Sequence, residues 1–70
     1  MNPKNQVRLD ENLQRLMKQH DYSLHQLAKD LNINKSTIHN YMNGVIPQGV
    51  HALIKISHLF KMPVDELLFG

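Results

Sequence analysis

From Val7 to His20 the apolar residues Leu9, Leu13, Leu16 and Met17 recur at i, i+4, i+7 and i+8, the stripe of a helix buried along one side. Asp21-Tyr22 breaks the pattern. Ser23, with Gln26 three residues on, reads as a capping box that opens a second helix. In it Leu24, Leu27, Ala28 and Leu31 share one arc, while His25, Gln26, Lys29 and Asp30 face outward. Ala28 is small enough to let another helix cross close by. Asn32-Ile33-Asn34 leaves room only for a tight turn: Asn32 suits a left-handed backbone, Ile33 can plug the core, and Asn34 can cap the next helix. The second and third helices must therefore meet at a steep angle.

The stretch Asn34 to Gly44, wound at about 100° per residue, gathers Ile38, Tyr41 and Met42 on one arc and Lys35, Ser36, His39, Asn40 and Asn43 on the other. Gly44 supplies the left-handed residue that ends this third helix. After a loop, Val45 to Gly49, a fourth helix is predicted over Val50 to Lys61. Its Val50, Leu53, Ile54, Ile56, Ser57 and Phe60 should point inward, with His51, Lys55 and His58 outside and Gly49 as the N-cap. Pro63 opens a last short helix, Val64 to about Leu68, whose Asp65 and Glu66 suit the positive end of its dipole. The pattern thus predicts an all-α domain of five short helices over residues 7–70, preceded by a flexible arm, residues 1–6.

A chain of 70 residues makes one domain with an economical core. It has no cysteine, which fits a reducing cytosol, and no apolar run near the roughly 20 residues of a membrane span. A cytoplasmic protein is expected. The net charge is only +2, but its distribution is uneven. All six carboxylates lie outside Leu31 to Val64, the segment that carries Lys35, Lys55 and Lys61 with His39, His51 and His58. The cationic middle of the chain contains the third helix, whose polar face is rich in groups that hydrogen-bond base edges: Asn to adenine, Lys to guanine, Ser to either.

Other chemistries fit poorly. His51 and His58 stand two turns apart, about 10 Å along one helix, too far to share a zinc ion without further ligands. There is no glycine-rich phosphate loop, no acidic cluster with ligand spacing, and nothing that brings a serine, histidine and aspartate together. No enzymatic activity, metal, cofactor or small-molecule ligand is expected.

The run S-L-H-Q-L-A-K-D-L-N-I-N-K-S-T-I-H-N-Y-M-N-G, followed by an amphipathic helix and P-V-D-E-L-L-F, resembles the helix-turn-helix domains of the lambda repressor and Cro (XRE) type. The resemblance covers about Leu9 to Phe69. Leu27, Ala28, Leu31, Ile33, Ile38 and Tyr41 occupy the positions where that motif wants apolar, small and four further apolar residues. It implies a lambda repressor-like fold and a nucleoid-associated transcriptional repressor on double-stranded DNA, with the third helix lying in the major groove. Lys35, Ser36 and Asn40 would be the principal base readers, with His39 and Asn34 at the edge. Phosphates would be met by Ser23, Lys29, Asn43 and Lys55, with Lys35, Lys4 and Arg8 adding attraction. One such domain spans about 4 to 6 base pairs, so a homodimer on a palindrome is expected. Its surface is sought among Val45, Ile46, Leu68 and Phe69.

The sequence departs from the family pattern at several points. Asn32 stands where glycine is usual, and Leu24 where a phosphate-gripping Gln is common. Val45 and Ile46 replace loop cations, and Met17 and Met42 replace an Arg and Glu that pair between helices. The two methionines are expected to touch, since apolar groups can substitute for a buried ion pair without two desolvation penalties. The eroded phosphate grips leave an alternative reading, a protein-interaction module of the same fold, such as an antitoxin or accessory regulator.

Overall fold

A computed structural model describes residues 7–70, and the expected arm at residues 1–6, with Lys4, lies outside the described residues. Among the described residues five helices follow one another with no strand: α1 (Leu9–Gln19), α2 (Leu24–Leu31), α3 (Lys35–Met42), α4 (Val50–Phe60) and α5 (Val64–Phe69). α1 packs against α3 and α5, α2 against α3 and α4, and α4 against α5. The boundaries fall within two residues of those read from periodicity, the usual scatter at helix ends.

The core is the sum of the expected stripes. α1 buries Leu9, Leu13, Leu16 and Met17, α2 buries Leu27, Ala28 and Leu31, α3 contributes Ile38, and α4 and α5 add Leu53, Ile56, Phe60 and Leu67. Met42 packs half-buried against the cluster that contains Met17. Two inward assignments on α4 are wrong: Val50 is 62% exposed and Ile54 is 40% exposed. α4 is apolar over more of its circumference than its two neighbours can cover, so periodicity could not say which apolar residues would stay outside.

Each of α1 to α4 closes in the same way. A residue with positive φ (Asp21 at 56°, Asn32 at 55°, Gly44 at 104°, Lys61 at 54°) is followed by an amide that reaches back to the last turn. These bonds are Tyr22 N–H to the Met17 carbonyl at 2.7 Å, Ile33 to Ala28 at 3.0 Å, Val45 to Asn40 at 3.0 Å and Met62 to Ser57 at 3.0 Å. The motif favours an apolar residue after the left-handed one, because that side chain folds onto the helix it terminates. Tyr22, Ile33 and Met62 do pack on the core, and Tyr22 meets Phe60 edge to face at 5.8 Å. Val45 does not and remains 52% exposed.

Three helix ends also accept from groups elsewhere in the fold. Asn12, fully buried on α1, donates from Nδ2 to the Leu67 carbonyl at 2.7 Å, and the Arg8 backbone N–H donates to the Leu68 carbonyl at 2.6 Å. Gln14 Nε2 donates to the Met42 carbonyl at 2.6 Å, and Lys55 Nζ to the Leu31 carbonyl at 3.2 Å. Carbonyls in a last helical turn lack intrahelical partners, so α1 supplies donors to both α3 and α5. The Asn12 side-chain oxygen itself has no partner among the described residues. Replacing Asn12 by alanine removes the donor from a buried carbonyl and should destabilise the domain by about 1–3 kcal/mol. Chemical denaturation measures the loss, and hydrogen exchange should place the earliest opening in α5. A wild-type midpoint would show that the α1–α5 seam does not depend on this bond.

Candidate nucleic-acid interface

α3 is held at three places. Ile38, with no exposed surface, anchors its middle, and Tyr41 and Met42 pack half-buried on the same side. The Gln14 bond holds its C-terminal end. At its start the left-handed Asn32 reverses the chain within three residues of α2. Asn32 tolerates this backbone because its short amide can hydrogen-bond locally and so offsets part of the strain that left-handed residues suffer. The buried arc being fixed, the outer arc is fixed with it: Lys35, Ser36, His39, Asn40 and Asn43 are all exposed, within about 140° of the helix circumference.

The side chains on that arc are not equally free. Asn43 Nδ2 donates to the His39 carbonyl at 2.7 Å, which folds its amide back on the helix C-terminus. Asn34 lies at the N-terminal boundary of α3, but its side chain makes no capping bond, contrary to the expectation from the turn. Lys35, Ser36 and Asn40 project with no side-chain hydrogen bond to other described residues. Asn34 and Lys35 also line a cleft of about 320 Å³ whose remaining walls are His25, Ala28, Lys29 and Ile33. His25 has no role in the motif pattern, although its spacing of one turn from Lys29 is visible in the sequence.

The expected phosphate contacts divide. Ser23 Oγ accepts the Gln26 amide at 3.1 Å and so is engaged in starting α2. The reciprocal half of the capping box is absent, because Gln26 Nε2 instead donates to Asp30 Oδ1 at 2.8 Å. Partial burial, together with a hydrogen bond and the charge of that same Asp30, pushes the Tyr22 phenol above its ordinary value of 10.0. Lys55 is drawn to the end of α2 by the Leu31 carbonyl, and Arg8 pairs with Glu11 at 2.9 Å on the surface. Leu24 packs against the core.

Of the residues sought for self-association, Val45 and Ile46 are 52% and 53% exposed and Phe69 is 41% exposed, whereas Leu68 packs against the core. The residues just before α1 run between the two groups. Val7 lines a small hollow with Val45 and Ile46, and the next residue, Arg8, bonds to Leu68. Val7, 38% exposed, thus extends the apolar surface in a way that sequence spacing does not reveal.

A helix-turn-helix family model matches residues 13–67. The chain belongs to the helix-turn-helix family. The match takes in all of α2 to α4 and is of the lambda repressor and Cro (XRE) type that the motif resembles. This helix-turn-helix chain is 33% identical over 64 residues to an uncharacterized HTH-type transcriptional regulator, YvzC, of Bacillus subtilis strain 168, covering 91% of this chain and 82% of that protein. The crystal structure of a transcriptional regulator from Listeria innocua superposes with a TM-score of 0.81 at 36% identity. That alignment covers 90% of this chain but 59% of the other, so the domain spans about three-fifths of that regulator. Family and fold are those of transcriptional regulators with a DNA-binding domain rather than of enzymes.

The turn makes a direct prediction. A β-branched residue cannot adopt the Asn32 backbone cheaply, so Asn32→Val should cost about 1–2 kcal/mol, while Asn32→Gly should match or slightly exceed wild-type stability. Thermal unfolding of the three proteins checks this; a Val variant as stable as wild type would contradict the strain argument.

Proposed function

We propose that this domain is a sequence-specific transcriptional regulator that reads the major groove through α3. The observation that carries the reading is the outer arc of that helix, where Lys35, Ser36 and Asn40 are exposed, close together and free of any carboxylate on the same helix. Asn40 pairs its amide with adenine, Lys35 reaches guanine acceptors, and Ser36 serves either base. His39 and Asn34 contact the margins of the site. Lys29 approaches the backbone, and Asn43, Ser23 and Lys55 are lesser phosphate contacts because each already has a partner within the fold.

The protein acts in the cytoplasm, on the nucleoid, as a homodimer. One domain reads too few base pairs for genomic selectivity, and two-fold pairing doubles the site into a palindrome. The exposed apolar surface of Val45, Ile46 and Phe69, continued by Val7, suits such a pairing. Occlusion of a promoter by the bound dimer makes it a repressor. The same exposed Val45 and Ile46 favour the second reading, in which the domain holds a partner protein and DNA binding is weak.

Selection from random duplexes at physiological salt tests the proposal, and enrichment of a palindrome is expected. Asn40→Ala should then lose about 1–3 kcal/mol of discrimination at one position in each half-site. Failure to enrich any sequence would favour the partner-binding reading. Val45→Asp with Ile46→Asp should convert the dimer to monomer in sedimentation and reduce operator affinity, with stability nearly unchanged because both residues are exposed.

A further inference from the structure

The carbonyls in the last turn of α3 lack partners within the helix. Those of His39, Asn40 and Tyr41 are met locally. Asn43 Nδ2 donates to His39 at 2.7 Å, the Asn43 and Val45 amides donate to Asn40, each at 3.0 Å, and the Gly44 amide donates to Tyr41 at 3.4 Å. The Met42 carbonyl is met from outside, by Gln14 Nε2 on α1 at 2.6 Å. Among the described residues no other hydrogen bond ties α3 to another helix. Apolar attachment is thin at this end, since Ile38 is the one buried residue of α3 and Tyr41 and Met42 are half-buried. The thioethers of Met17 and Met42, although they belong to the same core cluster, offer no donor. Gln14 itself is exposed and adds little to the core.

We propose that Gln14 is a positioning residue for base reading: by holding the C-terminal end of α3 it sets the tilt at which Asn40 meets its base. The inference rests on the DNA-binding reading and deepens it. The left-handed turn at Asn32 anchors the start of α3, so any tilt left to the helix is a swing about that end. Measured from Asn34 along the axis, Asn40 lies about 9 Å away and Lys35 about 1.5 Å. A swing of roughly 10° therefore moves Asn40 by about 1.5 Å and Lys35 by about 0.3 Å, against the roughly 0.5 Å that a binding constellation tolerates. An amide pairing bidentately with adenine fails first, because both of its bonds must align. A lysine ammonium, a point charge on a flexible stem, adjusts. Apolar contact cannot fix the tilt by itself, since it is non-directional, whereas the Gln14 bond weakens as soon as its angle opens.

The test measures base preference with the whole chain on the duplex recovered by selection, each half-site position being varied in turn and every protein kept below its melting transition. Asn40→Ala and Lys35→Ala mark the positions that those residues read, as the ones where preference relaxes. One bidentate pair supplies roughly 5- to 150-fold discrimination, and Gln14→Met, which removes the donor at similar length, should cut the preference at the Asn40 position roughly fivefold. The preference at the Lys35 position should stay within about twofold of wild type, following the shorter lever arm. Adding Gln14→Met to Asn40→Ala should change nothing further at the Asn40 position, because one residue acts through the other. Gln14→Lys keeps a donor of similar reach and should retain the wild-type preference; affinities are compared as ratios, so the added charge cancels. A residue that only stabilised the fold would lower the melting temperature and weaken all duplexes alike. An unchanged preference at the Asn40 position in Gln14→Met, or an equal loss at every position, overturns the positioning role and leaves α3 as the reader. A wild-type chain that enriches no duplex overturns both.

Discussion

The junction between α2 and α3 is the constraint on which the other features of this domain depend. Asn32 turns the chain through a left-handed residue, Ile33 packs behind the turn, and Ile38 fixes the middle of α3 in the core. With its inner arc immobilised, α3 has no rotational freedom left, and Lys35, Ser36 and Asn40 are presented together. The same turn brings Lys35 opposite His25 and Lys29, so one backbone reversal creates both the exposed polar arc of α3 and the cleft beside it.

Short helices pose a particular difficulty, because a large share of their backbone groups lies in unpaired terminal turns. Here α1 acts as a shared donor strip. Asn12 and the Arg8 amide satisfy the end of α5, and Gln14 satisfies the end of α3. Lys55 does the same for α2. These bonds tie together elements that are otherwise related only by apolar contact, which has no preferred direction. They make the angle between α1 and α3 a matter of hydrogen-bond geometry as well as packing.

Much of this could be read from the residue order because the relevant physics is local. Amphipathic stripes of period 3.6 gave α1, α2 and α3 their inner faces, and Asn32 and Gly44 marked left-handed ends through their own backbone preferences. What was hidden depends on distant partners. Asn12 looks like a surface residue until Leu67, 55 positions away, comes to lie against it. Lys55 looks free until Leu31 takes its ammonium, and Gln26 looks like half of a capping box until Asp30 competes for its amide. Val50 and Ile54 have the chemistry of core residues, and only the absence of a covering neighbour leaves them outside. For the candidate interface, residue types and helical phase sufficed to nominate Lys35, Ser36 and Asn40; the cleft beside Lys35 required the angle between two helices.

We propose that α3 enters a groove of DNA with its outer arc leading. Amide and side-chain NMR shifts of the labelled domain, followed as the selected duplex is added, measure this most directly. The largest changes should fall on Lys35, Ser36 and the Asn40 side-chain amide, with a smaller one at Lys29. Changes centred instead on Val45, Ile46 and α5, with Lys35 and Asn40 unmoved, would contradict it.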